Sequence, residues 1–254
     1  MFADAFRACS TSQFMSRPLH EKSTIEQIRQ RFDVDVERFS KLETGQQAAM
    51  DAPVILDVVS RSAACHVRPQ GTLLDLGCGA GNFTLHVLGR VSPLDCVLVD
   101  LSQPMLERAE SRVKVATSGN VQTIQSDMSS LSFAPGSFDV ILAGQVFHHL
   151  RDDAQWHAMF TRLYEWLRPS GALFVADFVA FDDPGIQALM MSRYADHLES
   201  FGGAKYRDRV LAYCDAEDSP RSIRYQFDLL RAVGFSDFDV LHKNALFAAY
   251  YARK

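Results

Sequence analysis

Three observations in this 254-residue chain predict an α/β fold: a doubly wound, mostly parallel sheet of seven strands with a helical cap. From Gly71 onward, short apolar runs alternate with amphipathic stretches of helical period. The runs are apolar almost throughout, which suits strands covered on both faces. The last two runs follow each other across a short turn, so the sheet is expected to close in an antiparallel pair.

The elements fall in three blocks. Residues 1–20 read as a flexible tail, with Met15 as an alternative start. Residues 21–70 read as an N-terminal helical cap. Its first helix begins near Ser23-Thr24, carries Ile25, Ile28, Phe32, Val36 and Phe39 on one stripe, and is expected to stop at Gly45. Asp51 as cap and Pro53 in the first turn start a second helix that buries Val54, Ile55, Val58 and Val59.

Residues 71–254 read as the main domain, with a helical substrate-side insert at about 184–226. TLLDLG (72–77), DCVLVD (95–100), VQTIQSD (121–127), FDVILAG (138–144) and ALFVADF (172–178) are its first five strands. Helices are expected at 82–90, 104–115 and 153–167, the last with Trp156, Met159, Phe160, Leu163 and Leu167 inward. Pro169-Ser170-Gly171 reads as a turn. One or two helices fill 184–215, broken at Phe201-Gly202-Gly203. Ser219-Pro220 is expected to cap another helix that ends at Gly234. FSDFDVLH (235–242) and ALFAAYYA (245–252) finish the sheet around a Lys243-Asn244 turn.

Composition narrows the function. Hydrophobic residues are 47% and charged residues 22%, which excludes wholesale disorder. A net charge of −5 argues against a surface built to grip phosphates, so nucleic acid is not favoured as a partner. No apolar run reaches the ~20 residues of a membrane helix, and the first residues lack the apolar core of a secretory signal. Five scattered cysteines, never spaced CxxC, argue against a disulfide framework and fit a reducing cytoplasm.

Four segments carry chemistry. In Leu73-Leu74-Asp75-Leu76-Gly77-Cys78-Gly79-Ala80-Gly81-Asn82 a strand ends in an acid and a glycine turn opens a helix. The turn is GxGxG, without the third glycine of the dinucleotide fingerprint or the Lys-Ser/Thr of a phosphate loop. That counts against a dehydrogenase. Asp100 closes the next strand, where an acid can accept both ribose hydroxyls; capping the following helix is the plainer alternative. Gln125-Ser126-Asp127-Met128 closes the third strand, with Asp127 suited either to an adenine amino group or to a turn. Gly144-Gln145-Val146-Phe147-His148-His149 follows the fourth.

In this order and spacing the four segments resemble the class I S-adenosylmethionine-dependent methyltransferases, across roughly residues 71–180. More loosely, the leading helices and the closing VLHKNALFAAYYARK are similar to the branch of bacterial wobble-uridine carboxymethyl-transfer enzymes and their small-molecule relatives. The resemblance implies a Rossmann-like sheet and S-adenosyl-L-methionine as cofactor. It implies that Gly77, Cys78 and Gly79 run along the methionine part, Asp100 holds the ribose, Asp127 and Met128 flank the adenine, and Gly144 and Gln145 lie under the methionyl group. Asp75 and Leu101 join that cofactor set. FDVDVERFSKLETGQ (32–46) sits where the family often closes a lid.

His148 and His149 are the catalytic candidates, as general base or substrate contact near the methyl group. Adjacent side chains point apart in a regular element, so one is expected to face the cleft and the other to be structural. No metal is expected, since the pair lacks i, i+4 spacing and no Cys or Asp ligands are expected to cluster nearby. Arg38, Tyr206, Arg207, Arg221, Arg224 and Tyr225 are substrate-side candidates, and His242-Lys243 reads as a hairpin end. The expected reaction is direct in-line methyl transfer to a small-molecule acceptor. A tRNA base as acceptor, or a non-catalytic nucleoside-binding subunit, are the alternatives.

Overall fold

The computed structural model describes residues 17–41 and 47–254. Most of the expected tail and the expected stop at Gly45 lie outside the described residues. The seven strands are β1 Thr72–Leu76, β2 Asp95–Asp100, β3 Val121–Gln125, β4 Phe138–Gly144, β5 Leu167–Phe178, β6 Asp237–Asn244 and β7 Phe247–Arg253. They form one sheet in the order β3-β2-β1-β4-β5-β7-β6. The first five are parallel, and β7 runs antiparallel to both neighbours. Strand order reverses between β1 and β4, which opens a cleft beyond their carboxyl ends.

Alternation along the strands sorts the core into two layers. Leu73, Leu98, Val140, Leu142 and Phe174 pack under α3 (Ala52–Ala64), α4 (Asn82–Leu88), α5 (Gln103–Ala116) and α7 (Pro184–Glu217). Leu74, Leu76, Ile141, Leu173 and Tyr250 pack under α6 (Asp153–Trp166) and α8 (Ile223–Val233). Trp156, Met159, Phe160 and Leu163 are buried on α6, as their spacing predicts, whereas Leu167, also buried, lies past the helix end and opens β5. No helix among the described residues is long and apolar enough to cross a membrane.

Several local expectations change. The first helical stripe is two helices, α1 (Ile25–Asp33) and α2 (Val36–Ser40), broken at Val34-Asp35; a Thr24–Gln27 capping box starts the first. Asp51 precedes α3 in a left-handed conformation and makes no capping bond; its Oδ2 instead meets His242 and Asn244. Ser222, not Ser219, caps α8. Pro169-Ser170-Gly171 lies inside β5, with Ser170 left-handed at a register shift against β4. The β6–β7 turn is Ala245-Leu246, and Lys243 and Asn244 remain paired in the strand. The break expected at Phe201-Gly202-Gly203 is present: Gly203 leaves helical geometry (φ 76°, ψ 176°), so α7 is two helices joined at a kink.

Candidate functional site

A cavity of about 710 Å³ lies beyond the carboxyl ends of β1–β4. Loops from those strands floor it, and α1, α2 and α7 roof it. That volume is within the usual range for a small-molecule pocket.

One end is built by the glycine turn. Gly77 and Gly79 both have positive φ, but for different reasons. A Cβ on Gly77 would come within 2.7 Å of Val146 Cγ2, so this glycine lets the turn pack. A Cβ on Gly79 would meet nothing within 4 Å, leaving its backbone open to a ligand in the cavity. Beside it, Asp100 Oδ2 accepts from the Gly79 amide at 2.8 Å and Oδ1 from the Ser102 amide at 2.9 Å. One lone-pair site on each oxygen remains, enough for a pair of hydroxyls. Burial raises the Asp100 pKa above the ordinary carboxylate value, against the pull of these amides. Asp127 Oδ1 accepts from the Ser129 amide at 2.7 Å, so it caps a turn and lines the cavity together. Gly144 admits no Cβ, because Phe83 would stand 2.6 Å from it. Gln145 is left-handed, and its amide donates to the Ala176 carbonyl.

The other end is built by the 3-10 turn Phe147–His149 that follows β4. His148 Nδ1 lies 2.5 Å from Asp177 Oδ1, near the end of β5, and the His148 amide donates to Asp177 Oδ2 at 3.1 Å. Asp218, the residue that ends α7, sits 3.7 Å from His148 Nε2 and 3.5 Å from His149 Nδ1. The Ser219 amide donates to the His148 carbonyl at 2.6 Å, which pins the end of α7 there. Burial pushes the His148 pKa down, but the Asp177 and Asp218 carboxylates outweigh it and raise it to about 9. Burial, then the neighbouring His148, Arg31 and Arg151, hold His149 well below the usual imidazole value. Burial raises Asp218 to about 6 even though His148 opposes it. At neutral pH His148 is therefore cationic and His149 neutral. Neither buried ring nitrogen of His149 finds a hydrogen-bond partner among the described residues. Arg31 makes a bidentate bridge to Glu217, and Arg151 donates to the carbonyls of Glu217 and Ser23.

Residues 73–171 match the family model described as "Methyltransferase domain". Those residues form a class I S-adenosylmethionine-dependent methyltransferase domain. Among its relatives, the carboxy-S-adenosyl-L-methionine synthase of Vibrio cholerae is 24% identical over 79% of this chain and 82% of that protein. The demethylmenaquinone methyltransferase of Lactococcus lactis is 26% identical over 72% of this chain and 73% of that protein. The fold is shared with a cyclopropane synthase of Mycobacterium tuberculosis, at TM-score 0.61 and 16% identity, over 87% of this chain and 78% of that one. The methyltransferase uses S-adenosyl-L-methionine, and the open backbone at Gly79 with the two spare lone-pair sites of Asp100 suits that cofactor.

In the methyltransferase, Gly77, Cys78, Gly79, Asp100, Leu101, Asp127, Met128, Gly144, Gln145, His148 and His149 all line this one cavity. Asp75 does not. It lies buried beneath the turn, accepts from Thr84 Oγ1 at 2.6 Å, and is raised by burial to about 7. Both histidines face the cavity, contrary to the expectation of one, because the tight turn after β4 is not a regular strand or helix. The expectation that no acid clusters near them is also overturned. Asp177 and Asp218 arrive from distant segments. Arg38 and Tyr206 line the cavity. Arg207, Arg221, Arg224 and Tyr225 instead pair outside it with Glu199, Asp153, Asp182 and Asp153. His242 pairs with Asp51, and Lys243 donates to the Ala245 carbonyl at the hairpin end. Sequence reasoning missed Arg31, Asp177 and Asp218. Only Asp177 left a signal, as an acid inside an otherwise apolar strand.

Proposed function

We propose that this methyltransferase passes the methyl group to a small-molecule acceptor by direct in-line displacement. One observation carries the reading: a single roofed cavity holds the Gly79–Asp100 end and the His148–His149 end together. In this reading Gly77, Cys78 and Gly79 run along the methionyl chain, Asp100 takes the ribose hydroxyls, Asp127 and Met128 flank the adenine, and Leu101, Gly144 and Gln145 complete the cofactor's surroundings. Asp75 acts indirectly, by fixing the end of β1 through Thr84. The acceptor's reacting atom is presented to His148 and His149.

The sulfonium is already an activated leaving group, so alignment does most of the chemistry and is worth up to ~7–11 kcal/mol. The cap over 21–70 and the helical segment from 184 supply α1, α2 and α7 as a roof. A roof this close leaves room for a small acceptor and favours it over a tRNA base. Cytoplasmic placement is supported by Cys65, Cys78, Cys96 and Cys214, all free thiols.

The test is thermal shift followed by labelled methyl transfer. S-adenosylmethionine and S-adenosylhomocysteine at 100 times their dissociation constants should stabilise the protein by ~2.7 kcal/mol, and NAD and NADP should not. Label should then appear in a panel of small hydroxyl, thiol and amine acceptors. Label confined to tRNA would replace the small-molecule reading with the nucleic-acid one.

A further inference from the structure

The geometry points to a divalent transition-metal site at the histidine end of the cavity, formed by His148 Nε2, His149 Nδ1 and a carboxylate oxygen of Asp218. The three groups offer ligand atoms that all lie within 4.8 Å of one another, and both histidine contacts to Asp218 Oδ1 are 3.5–3.7 Å. Those contacts are too long for hydrogen bonds. They are close to the spacing of donors around one cation, since bonds of ~2.0–2.1 Å put tetrahedral neighbours ~3.3 Å apart.

The surroundings prepare each ligand. His148 Nδ1 is held by Asp177, and that contact turns Nε2 toward Asp218, where a bound cation would replace the Nε2 proton that His148 carries at neutral pH. A carboxylate behind an imidazole is the usual support for a metal-bound histidine. The nitrogens of His149 are buried and unpartnered among the described residues, so a bound cation would satisfy one of them. The nearby arginines do not claim these groups: Arg31 is spent on Glu217 and Arg151 on backbone carbonyls. Two nitrogens and one carboxylate favour zinc, cobalt or iron(II) over magnesium or calcium. Three protein ligands facing a cavity leave coordination positions open, the pattern of a catalytic rather than a structural site. The open positions would take an acceptor oxygen or sulfur. That role rests on the methyl-transfer reading; binding of the cation does not.

Cobalt(II) titration of the chelator-treated full chain tests this. Visible ligand-field bands should saturate at one Co²⁺ per chain and be displaced by Zn²⁺. Proton spectra of the cobalt form should show two paramagnetically shifted imidazole N–H signals, one from each histidine. His149→Ala and Asp218→Asn should each lower Co²⁺ affinity at least tenfold while calorimetry shows S-adenosylhomocysteine still binding. Absent bands, fewer than two shifted N–H signals, or unchanged affinity in both variants would overturn the site. The first two readouts decide the matter on the wild-type protein, even where a variant does not fold. Loss of S-adenosylhomocysteine binding by the wild type would instead strike the methyltransferase reading, and leaves the metal readouts standing.

Discussion

Asp177 is 1% exposed and accepts three donors: His148 Nδ1 at 2.5 Å, the His148 amide at 3.1 Å and the Phe178 amide at 2.8 Å. The carboxylate ties the turn after β4 to the end of β5, and so fixes the position of the histidine end of the cavity. Asp177→Ala leaves a buried imidazole and two amides without their acceptor. Breaking a buried charge pair in this way costs ~3–5 kcal/mol. Asp177→Asn keeps one acceptor oxygen and should cost less. Urea unfolding followed by circular dichroism gives both values. A loss below ~1 kcal/mol for the alanine variant would show that the contact is not structural.

The two glycines of the β1 turn should separate folding from binding. Gly77→Ala places a Cβ 2.7 Å from Val146 and should destabilise the protein well beyond the ~1–2 kcal/mol cost of a left-handed residue. Gly79→Ala carries only that conformational cost, since its Cβ would enter open cavity space. Its effect should fall on S-adenosylhomocysteine affinity, and Gly79→Val should abolish binding. Calorimetry and thermal melts on the three variants check this. Normal binding by a folded Gly79→Val protein would remove the turn from the cofactor site.

The legibility of these features from sequence was uneven, for physical reasons. β2 and β4 coincide with their apolar runs, because strands buried on both faces tolerate few polar residues. The hairpin was misplaced because Lys243-Asn244 has turn chemistry whereas Ala245-Leu246 does not. Leu246 is fully buried, so packing overrides local preference and holds Ala245 left-handed. The α1–α2 break was hidden by an unbroken apolar stripe, although Val34 at the junction is 83% exposed. The glycine turn and its acids are legible because they are local. The His148–Asp177–Asp218 cluster joins three distant segments, and nothing short of the fold brings them together.

Asp100 does two jobs, and its variant should report both. Asp100→Asn removes a charged acceptor from the ribose position, worth ~1.5–3 kcal/mol, or roughly 10- to 150-fold in S-adenosylhomocysteine affinity. The carboxylate also accepts the Gly79 and Ser102 amides, so the melting temperature should fall modestly as well. Calorimetry measures the first effect and a melt the second. A drop in stability with unchanged affinity would assign Asp100 to the turn alone.

Asp75 should give the protein a pH dependence of its own. Its native pKa, raised to about 7, is above its ordinary value of 3.8, so the folded state holds a proton that the unfolded state releases. The stabilisation is full below about pH 4 and is lost as pH rises through about 7. Asp75→Asn keeps an acceptor for Thr84 and has no charge to bury. Relative to the parent, the variant should gain stability between about pH 4 and about pH 8, by a few kcal/mol at ~1.4 kcal/mol per unit. Denaturant midpoints across that range test the sign. A constant difference would mean that Asp75 titrates alike in both states.

The last expectation concerns the latch between the two halves of the roof. Arg31 on α1 grips Glu217 at the end of α7 with contacts of 2.8, 3.0 and 2.5 Å, and stacks on Phe32 and Tyr213. The Glu217 side chain is 6% exposed and that of Arg31 is 21%. The two single truncations should therefore differ. Arg31→Ala strands a buried carboxylate, at ~3–5 kcal/mol, whereas Glu217→Ala leaves a guanidinium that can turn toward water. Replacing both with methionine should cost less than the sum of the single variants, since no unpaired charge remains. Ile28 is the one buried residue of α1 and this bridge ties the helix to α7, so the loss should appear first as local opening of α1 rather than global unfolding. Hydrogen exchange should show faster amides over Ile25–Asp33 in Arg31→Ala, with β1 and β4 still protected. Slow exchange throughout α1 in that variant would show that the bridge is not what holds the roof shut.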